Sequence, residues 1–364
     1  MNIEKGTISV FQFSFLIIGF IEGSILLTSY VSNIVKNSSG LVLLSGLASI
    51  APFVYIYALL AQRFPGINFA QINQNVFGTY LGTAFSSLYI GYFLLLFSFN
   101  LREIGNFYTI FFMRETPFEV FLIVFIFVCA FAVWNGLEVL ARINTFLLVA
   151  INLSIMIATL MLLPKMNLTN LLPLAELPLK DFIHGTQIIA DIPFGEIAVF
   201  LTMAFALNDN RHVVKSTFLS LILGAAIFLI ITIRNTAVLG NTEALLYSPS
   251  FEVIRLINIG FLSRIDILFA FGFTIGLFLK CSILFYGVVL LLSQLLKLRT
   301  YRCLIFPLGC ITTVLAIIVF PSITAQFLSG QNEALMMAIP FFHIFPPLTL
   351  LVAKLRNLPK KGYR

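Results

Sequence analysis

The sequence predicts an all-α polytopic membrane protein with a single transmembrane domain over residues 1–364. Of its 364 residues, 60% are hydrophobic and only 10% are charged, and the mean hydropathy is +1.03. Its apolar runs last about 20 residues, the length that an α-helix needs to cross a hydrocarbon core. A transmembrane barrel would instead show shorter segments in which apolar residues alternate with polar ones.

Ten such runs are predicted to be transmembrane helices. With both termini on the same side, more lysine and arginine residues fall on that side than on the other, so the positive-inside rule predicts that both termini are cytoplasmic. The net charge of +7 is explained by this topology, and nucleic-acid binding is not expected. The predicted spans are 9–31, 40–62, 80–101, 117–135, 141–163, 186–207, 216–233, 264–294, 301–320 and 335–353.

Two of the spans contain short polar interruptions, at residues 19–24 (GFIEGS) and 191–196 (DIPFGE). Each places a carboxylate, Glu22 or Glu196, beside glycine at membrane depth, and Pro193 lacks a backbone donor. Helical hydrogen bonding should therefore fail in both spans, and membranes tolerate open backbone only where protein or a water-filled cavity satisfies it. Paired broken helices predict a transporter-like binding site near the bilayer midplane.

The first and sixth of the ten spans are the broken ones, which divides the chain at the loop 164–185 into two groups of five. An odd number of spans in each group requires the halves to lie in opposite orientations. We therefore predict a 5+5 inverted repeat, with a first five-helix repeat at 9–163 and a second at 186–353.

The carboxylates at the two breaks are the sharpest candidates for a function, because ionisable groups within a membrane are costly and usually face a cavity or a partner. Helix N-termini at the breaks could bind a ligand carboxylate, while Glu22 or Glu196 and free carbonyls could hold an ammonium group. A zwitterion would suit both features. Alternatively, Glu196 only stabilises the kink in its own helix.

Lys280 lies in the middle of the eighth span, too far from either end to reach an interface easily. It needs a partner, and three interpretations remain open. It pairs with Glu22 or Glu196, it is a tethered cation where a coupling sodium sits in related folds, or it forms a purely structural salt bridge.

In the third span, Tyr89, Tyr92 and Leu96 share one helical face, which could line the site or only pack against a neighbouring helix. Arg102 and Glu103, just after that span, are expected at the membrane interface.

The sequence gives little support for an enzyme or a metal-dependent protein. The four cysteines fall within or at the ends of spans without a CxxC pair, and the three histidines form no metal-binding pattern. Neither a phosphate-binding loop nor a dinucleotide fingerprint is present. We expect no metal, no cofactor and no enzymatic activity.

Four short motifs are spread over nearly the whole chain. They are residues 63–66 (RFPG), 116–117 (TP), 136–138 (GLE) followed by Arg142, and 193–196 (PFGE). In this order they resemble the motifs of the B subunits of bacterial spore germination receptors, which belong to the amino acid, polyamine and organocation transporter superfamily.

The resemblance implies a leucine-transporter-like fold and a role in sensing a nutrient germinant, typically an amino acid, in the inner membrane of the dormant spore. It implies as companions a larger membrane A subunit and a lipoprotein C subunit. Where Glu22 stands, an apolar or small residue is expected, which suggests a ligand other than a plain small neutral amino acid. The residues expected to contact the ligand are Gly19, Glu22, Gly23, Ser24, Tyr92, Ile192, Pro193, Phe194, Gly195 and Glu196.

The sequence leaves two functions open. The chain is either a receptor subunit that signals to partners when a ligand binds, or an amino acid permease coupled to protons or another cation. A ligand site between two halves serves either function.

Overall fold

The structure, a computed structural model, describes residues 6–24, 27–173, 176–257 and 266–359. Within these ranges the chain is helical between short connections, which confirms the predicted all-α class. The α-helices are α1 Val10–Glu22, α2 Leu27–Val35, α3 Ser39–Arg63, α4 Phe69–Phe77, α5 Thr79–Phe111, α6 Phe118–Trp134, α7 Leu137–Leu162, α8 Leu179–Ile189, α9 Val213–Leu239, α10 Pro249–Arg255, α11 Asp266–Leu295, α12 Arg302–Ile318, α13 Ile323–Gln331, α14 Glu333–Ile339 and α15 Phe345–Leu355.

Tighter and wider helical turns interrupt this series. Two of them are π-type turns, Ala190–Phe194 and Pro340–Ile344, and each contains a proline that cannot donate a backbone hydrogen bond. The 3₁₀ segments are Lys36–Ser38, Leu163–Lys165, Leu168–Leu171, Gly195–Thr202, Ala204–Ala206 and Gly240–Leu245.

The predicted number of ten spans is not exact. Six helices in the described part of the chain are long and apolar enough to cross a membrane, and the pair α12 and α13, bent by 97°, would make a seventh. The first and sixth predicted spans are broken into shorter pieces, and α6 has only 17 residues. The six are Thr28–Arg63, Thr79–Phe111, Leu137–Lys165, Val213–Leu245, Asp266–Leu295 and Glu333–Leu355.

Helix α11 lies at the centre of the bundle. In its most apolar window 83% of the residues are buried, against 22% for the window in Leu137–Lys165. It packs against α1, α5, α6 and α7, so a group placed in its middle is surrounded by protein on most sides. This position explains how Lys280 can be retained at membrane depth.

The beginning of α1 is fixed by a capping box. The Ser9 hydroxyl accepts a hydrogen bond from the Gln12 amide at 3.1 Å, and the Ser9 amide donates to Gln12 Oε1 at 2.9 Å. Just before it, Ile8 forms a parallel β-bridge with Leu207, where the Ile8 amide donates to Ala206 O and the Asn208 amide donates to Ile8 O. The chain preceding α1 is thereby joined to the chain that follows the sixth predicted span.

Helix α5 is longer than the sequence predicted, because it continues ten residues past the expected end at residue 101. Arg102, expected at the membrane interface, lies inside this longer helix and packs against protein. Arg102 is buried and donates to the carbonyl oxygens of Ala316 and Ile317 at 2.7 and 3.0 Å. Because neighbouring helices satisfy its polar side chains, the helix can continue where the sequence suggested that it ends.

Candidate functional site

The first break begins at Gly23, where the chain leaves α1. The Gly23 amide still donates to Gly19 O at 3.0 Å, and the Ser24 amide donates to Ile21 O at 3.1 Å. A Cβ atom on Gly23 would lie 2.6 Å from Gly276 O. Only glycine therefore allows this turn to pack directly against the backbone of α11.

The second break follows α8. Ile192, inside the π-type turn, has non-helical torsions of φ −122° and ψ 113°, and the chain continues as the 3₁₀ segment Gly195–Thr202. Gly195 lies against Phe342, whose Cδ2 atom would be 2.7 Å from a Cβ on Gly195. Breaks are thus present in both stretches where sequence patterning predicted them.

Lys280 joins the two breaks. Its Nζ lies 2.7 Å from Glu196 Oε2 at the second break and donates to Ser24 Oγ at 2.6 Å at the first. Both charged side chains are almost fully buried, at 2% and 1% exposure. Of the two partners that the sequence left open for Lys280, the structure selects Glu196. The other oxygen of this carboxylate, Oε1, has no hydrogen-bond partner among the described residues.

A cavity of about 60 Å³ adjoins this ion pair. Four of the predicted contact residues line it, and so do Asn100 and Glu103 of α5, which the sequence analysis did not select. Its volume is large enough for a few water molecules or a small organic group. The predicted residues that line it are Ser24, Tyr92, Ile192 and Glu196, together with Lys280.

Glu103, predicted at the membrane interface, lines the cavity inside the bundle. A signal for it existed in the sequence. Tyr92, Leu96, Asn100 and Glu103 follow one another at helical spacing, so extending the stripe that began with Tyr89 would have found both polar residues.

Tyr92 is held in place by aromatic contacts with the π-type turn of the last predicted span. Its ring stacks on Phe341 with centroids 4.2 Å apart and meets Phe342 edge to face at 5.4 Å. The hydroxyl groups of Tyr57 and Tyr89 donate to the carbonyls of Phe342 and Phe341. These contacts fix one wall of the cavity against a turn that the sequence reasoning missed.

The remaining predicted contacts are not among the lining residues of this cavity. Gly19 packs against α7, since a Cβ there would lie 2.5 Å from Asn144 Oδ1. Pro193, Phe194 and Gly195 belong to the second break itself and are buried there. Within the described residues, these positions shape the backbone of the site and do not line its cavity.

Glu22 is directed elsewhere. Both of its carboxylate oxygens accept hydrogen bonds from Asn152 Nδ2 of α7, at 2.9 and 3.1 Å, and it lines a separate cavity of about 560 Å³. The two carboxylates that sequence patterning treated as equivalent therefore occupy different environments, on opposite sides of the first break.

A third polar group, the Asp191 carboxylate, lies at the start of the second break. Asp191 Oδ1 lies 2.6 Å from His343 Nε2 in the π-type turn Pro340–Ile344, and its other oxygen accepts from Gln187 Nε2 at 2.8 Å. These contacts join the second break to the last predicted span.

One protein family matches most of this chain. The sequence profile of the family described as "Spore germination protein" matches residues 7–325. The chain belongs to the spore germination protein family. The matched region includes both breaks and Lys280, and the resemblance drawn from the four short motifs is confirmed.

Relatives from Bacillus subtilis (strain 168) agree with this assignment. The chain is 29% identical to spore germination protein KB over 374 aligned residues, which cover 99% of this chain and 98% of that protein. It is 23% identical to spore germination protein YndE, with 88% of each chain covered.

Two solved structures share the fold. The crystal structure of MhsT in complex with L-phenylalanine matches with a TM-score of 0.71 at 15% identity, covering 97% of this chain and 90% of that one. The structure of MHP1, a nucleobase-cation-symport-1 family transporter with bromovinylhydantoin bound, matches with a TM-score of 0.66 at 13% identity, covering 92% and 78%. The predicted leucine-transporter-like architecture is confirmed, and the apolar helices identify a multi-pass membrane protein.

Proposed function

We propose that this chain is the nutrient-sensing subunit of a spore germination receptor and that it binds a small zwitterion, such as an amino acid, beside the Lys280–Glu196 pair. The main support is that this pair lies between both helix breaks and borders a cavity. Family membership and the likeness of fold support a germinant-sensing role independently.

Charge balance favours a zwitterion. Glu196 and Lys280 are buried and neutralise each other, so a ligand without net charge leaves this pair balanced. The Glu103 carboxyl group lines the same cavity and offers an ammonium group a second acceptor. A zwitterion adds no net charge, because its ammonium group can bind the free Glu196 Oε1 while its carboxylate binds Lys280 or Ser24. The cavity of about 60 Å³ favours a small ligand.

Ligand binding would signal by shifting a conformational equilibrium. The proposed ligand contacts both breaks, so it stabilises whichever relative position of the broken helices fits it better. The two five-helix repeats, 9–163 and 186–353, are the proposed bodies that move. The change is passed to a membrane A subunit and a lipoprotein C subunit, in the inner membrane of the spore, with both termini cytoplasmic.

A permease is the second candidate. The likeness to MhsT and MHP1 favours it, since MHP1 is itself a transporter. In this alternative Lys280 is a tethered cation that takes the place of a coupling ion, and the ligand crosses the membrane.

The deciding experiment compares spores with the intact gene, without it, and with Lys280→Met or Glu196→Gln. Release of stored small molecules is measured after addition of single amino acids, sugars and nucleosides. We expect the deletion to abolish the response to particular nutrients, and each variant to weaken the same responses by more than its lower protein level accounts for, since each leaves one buried charge unpaired. Lys215→Met, at an exposed position, is the matched control and should respond normally.

Normal responses in both site variants would remove the ion pair from the ligand site. The permease alternative has its own readout, which is accumulation of a labelled amino acid in proteoliposomes that contain this chain alone.

A further inference from the structure

A second cavity, of about 560 Å³, lies on the other side of the first break from the Lys280–Glu196 pair. It is formed mainly between α7 and α11, with the carboxyl end of α1 contributing Glu22. Leu153 and Leu268 line it and are 59% and 60% exposed, so it opens on the outer surface of the bundle. In a multi-pass membrane protein that surface faces lipid hydrocarbon.

Glu22 is the polar group at the inner end of this cavity. It is 4% exposed, and its described contacts are two hydrogen bonds from the Asn152 amide. No lysine, arginine or histidine in the described ranges lies within 4 Å of its carboxylate. The Nζ of the nearby Lys280 is directed to Glu196 and Ser24. A carboxylate with only an amide donor in apolar surroundings is costly unless a proton or a cation neutralises it.

Arg234, which also lines the cavity, does not supply that cation. A Cβ on Gly224 would meet Ile21 at 2.7 Å, so Gly224 of α9 lies level with the end of α1. Arg234 is ten residues further along the same helix, about 15 Å away at 1.5 Å per residue. Its guanidinium group donates to Asn235 Oδ1 at 2.9 and 3.2 Å and is attracted by the buried Glu243.

The rest of the cavity is apolar or small. Ile151 and Met161 of α7 face Phe269 and Phe273 of α11, and Gly272 leaves room between the two helices. A Cβ on Gly272 would meet only Ser154 Oγ, at 3.7 Å. The cavity thus combines one carboxyl group, which has no cationic partner among the described residues, with an apolar channel that opens on the lipid-facing surface.

We infer that this cavity binds an amphiphilic organic cation, with a primary ammonium group at Glu22 and an apolar chain lying between α7 and α11. The ammonium group supplies the missing counter-charge, and the chain replaces hydrocarbon along the channel. This site is separate from the proposed germinant site and does not depend on the function proposed for it. Its ligand would enter from the membrane, because the channel opens there.

The test uses the purified full chain in lipid nanodiscs and hexylammonium as the probe. Binding is measured as a saturable rise in the thermal unfolding midpoint. Hexan-1-ol, which has the same chain without the charge, is the ligand control. We expect Glu22→Gln, which keeps the hydrogen bond to Asn152, to raise the dissociation constant for hexylammonium about tenfold or more. Glu119→Gln, at an exposed position, should leave it unchanged.

Gly272→Leu provides a second test, since it fills the channel and keeps the carboxylate. It should also abolish the saturable response. Tyr92→Ala, at the other cavity, should bind hexylammonium as the unaltered chain does.

The proposal is overturned if the unaltered chain shows no saturable response or if Glu22→Gln binds hexylammonium as well as the unaltered chain. It is also overturned if hexan-1-ol binds as tightly as hexylammonium, since the cavity would then take only lipid hydrocarbon and Glu22 would be neutral. Unchanged binding in Gly272→Leu would place the site elsewhere.

Discussion

Lys280 and Glu196 form a buried ion pair, with 2.7 Å between Nζ and Oε2, that joins the middle of α11 to the second helix break. Two opposite charges buried away from water stabilise each other, and removing either one leaves the other without a partner. The pair therefore governs stability as well as any ligand chemistry at this site, and the two effects have to be separated by experiment.

Lys280→Met should strongly destabilise the protein, by about 3–5 kcal/mol, because it leaves Glu196 as an uncompensated buried charge. Combining it with Glu196→Gln should restore much of the loss, since neither charge then remains. The free energies of unfolding of the two single variants and the double variant, measured on purified protein in detergent, give the coupling energy. Additive effects would mean that the two groups do not interact.

Gly23→Ala should destabilise the first break, because its new Cβ would lie 2.6 Å from Gly276 O, a backbone atom that cannot rotate away. Gly91→Ala in α5 is the matched control. Nothing lies within 4 Å of its Cβ, and alanine is favoured over glycine in a helix by about 1 kcal/mol. Thermal unfolding midpoints should fall for the first variant and stay level or rise for the second. Equal midpoints would disprove the close contact with α11.

Gly195→Ala should weaken the nutrient response while the protein still accumulates. The added Cβ would lie 2.7 Å from Cδ2 of Phe342, and that ring meets Tyr92 at the wall of the cavity. A side-chain ring can shift, so the effect should appear at the cavity more than in overall folding. Dose–response curves for the germinant and immunoblots of spore membranes test this, and an unchanged curve would rule out the coupling through Phe342.

Tyr92→Ala should alter ligand size preference. Removing the ring that stacks on Phe341 enlarges a cavity of about 60 Å³, so responses should shift toward amino acids with bulkier side chains. Tyr92→Phe keeps the ring and is the control. The panel of nutrients used on spores measures both variants, and the same ranking of nutrients in all three proteins would place the ligand away from Tyr92.

Both breaks could be located from sequence because glycine and a carboxylate, joined by proline at the second break, interrupt otherwise apolar runs, and that combination is costly in lipid unless protein or a cavity satisfies it. The sequence also singled out Lys280, because a charged side chain in the middle of an apolar span is costly unless it has a partner. Its partner was not evident, because Glu22 and Glu196 are equally polar and only the rotation of α1 about its own axis directs Glu22 towards Asn152.

The missed features share one cause, which is that tertiary partners replace water. Arg102 and Glu103 looked like the end of a span, yet carbonyl groups and a cavity accommodate them inside the bundle. The π-type turn Pro340–Ile344 is stabilised by hydroxyl groups of Tyr57 and Tyr89, which lie more than 200 positions away in the chain. A single span read by itself contains no trace of such contacts.

The β-bridge between Ile8 and Leu207 ties together the entry to one broken span and the exit from the other. Drawing these two strands of chain apart would sever two backbone hydrogen bonds at 3.0 and 3.1 Å, whereas rotating them together severs none. At that end the two broken spans are held together, so a change in their relative position has to pivot about the bridge and cannot separate them there.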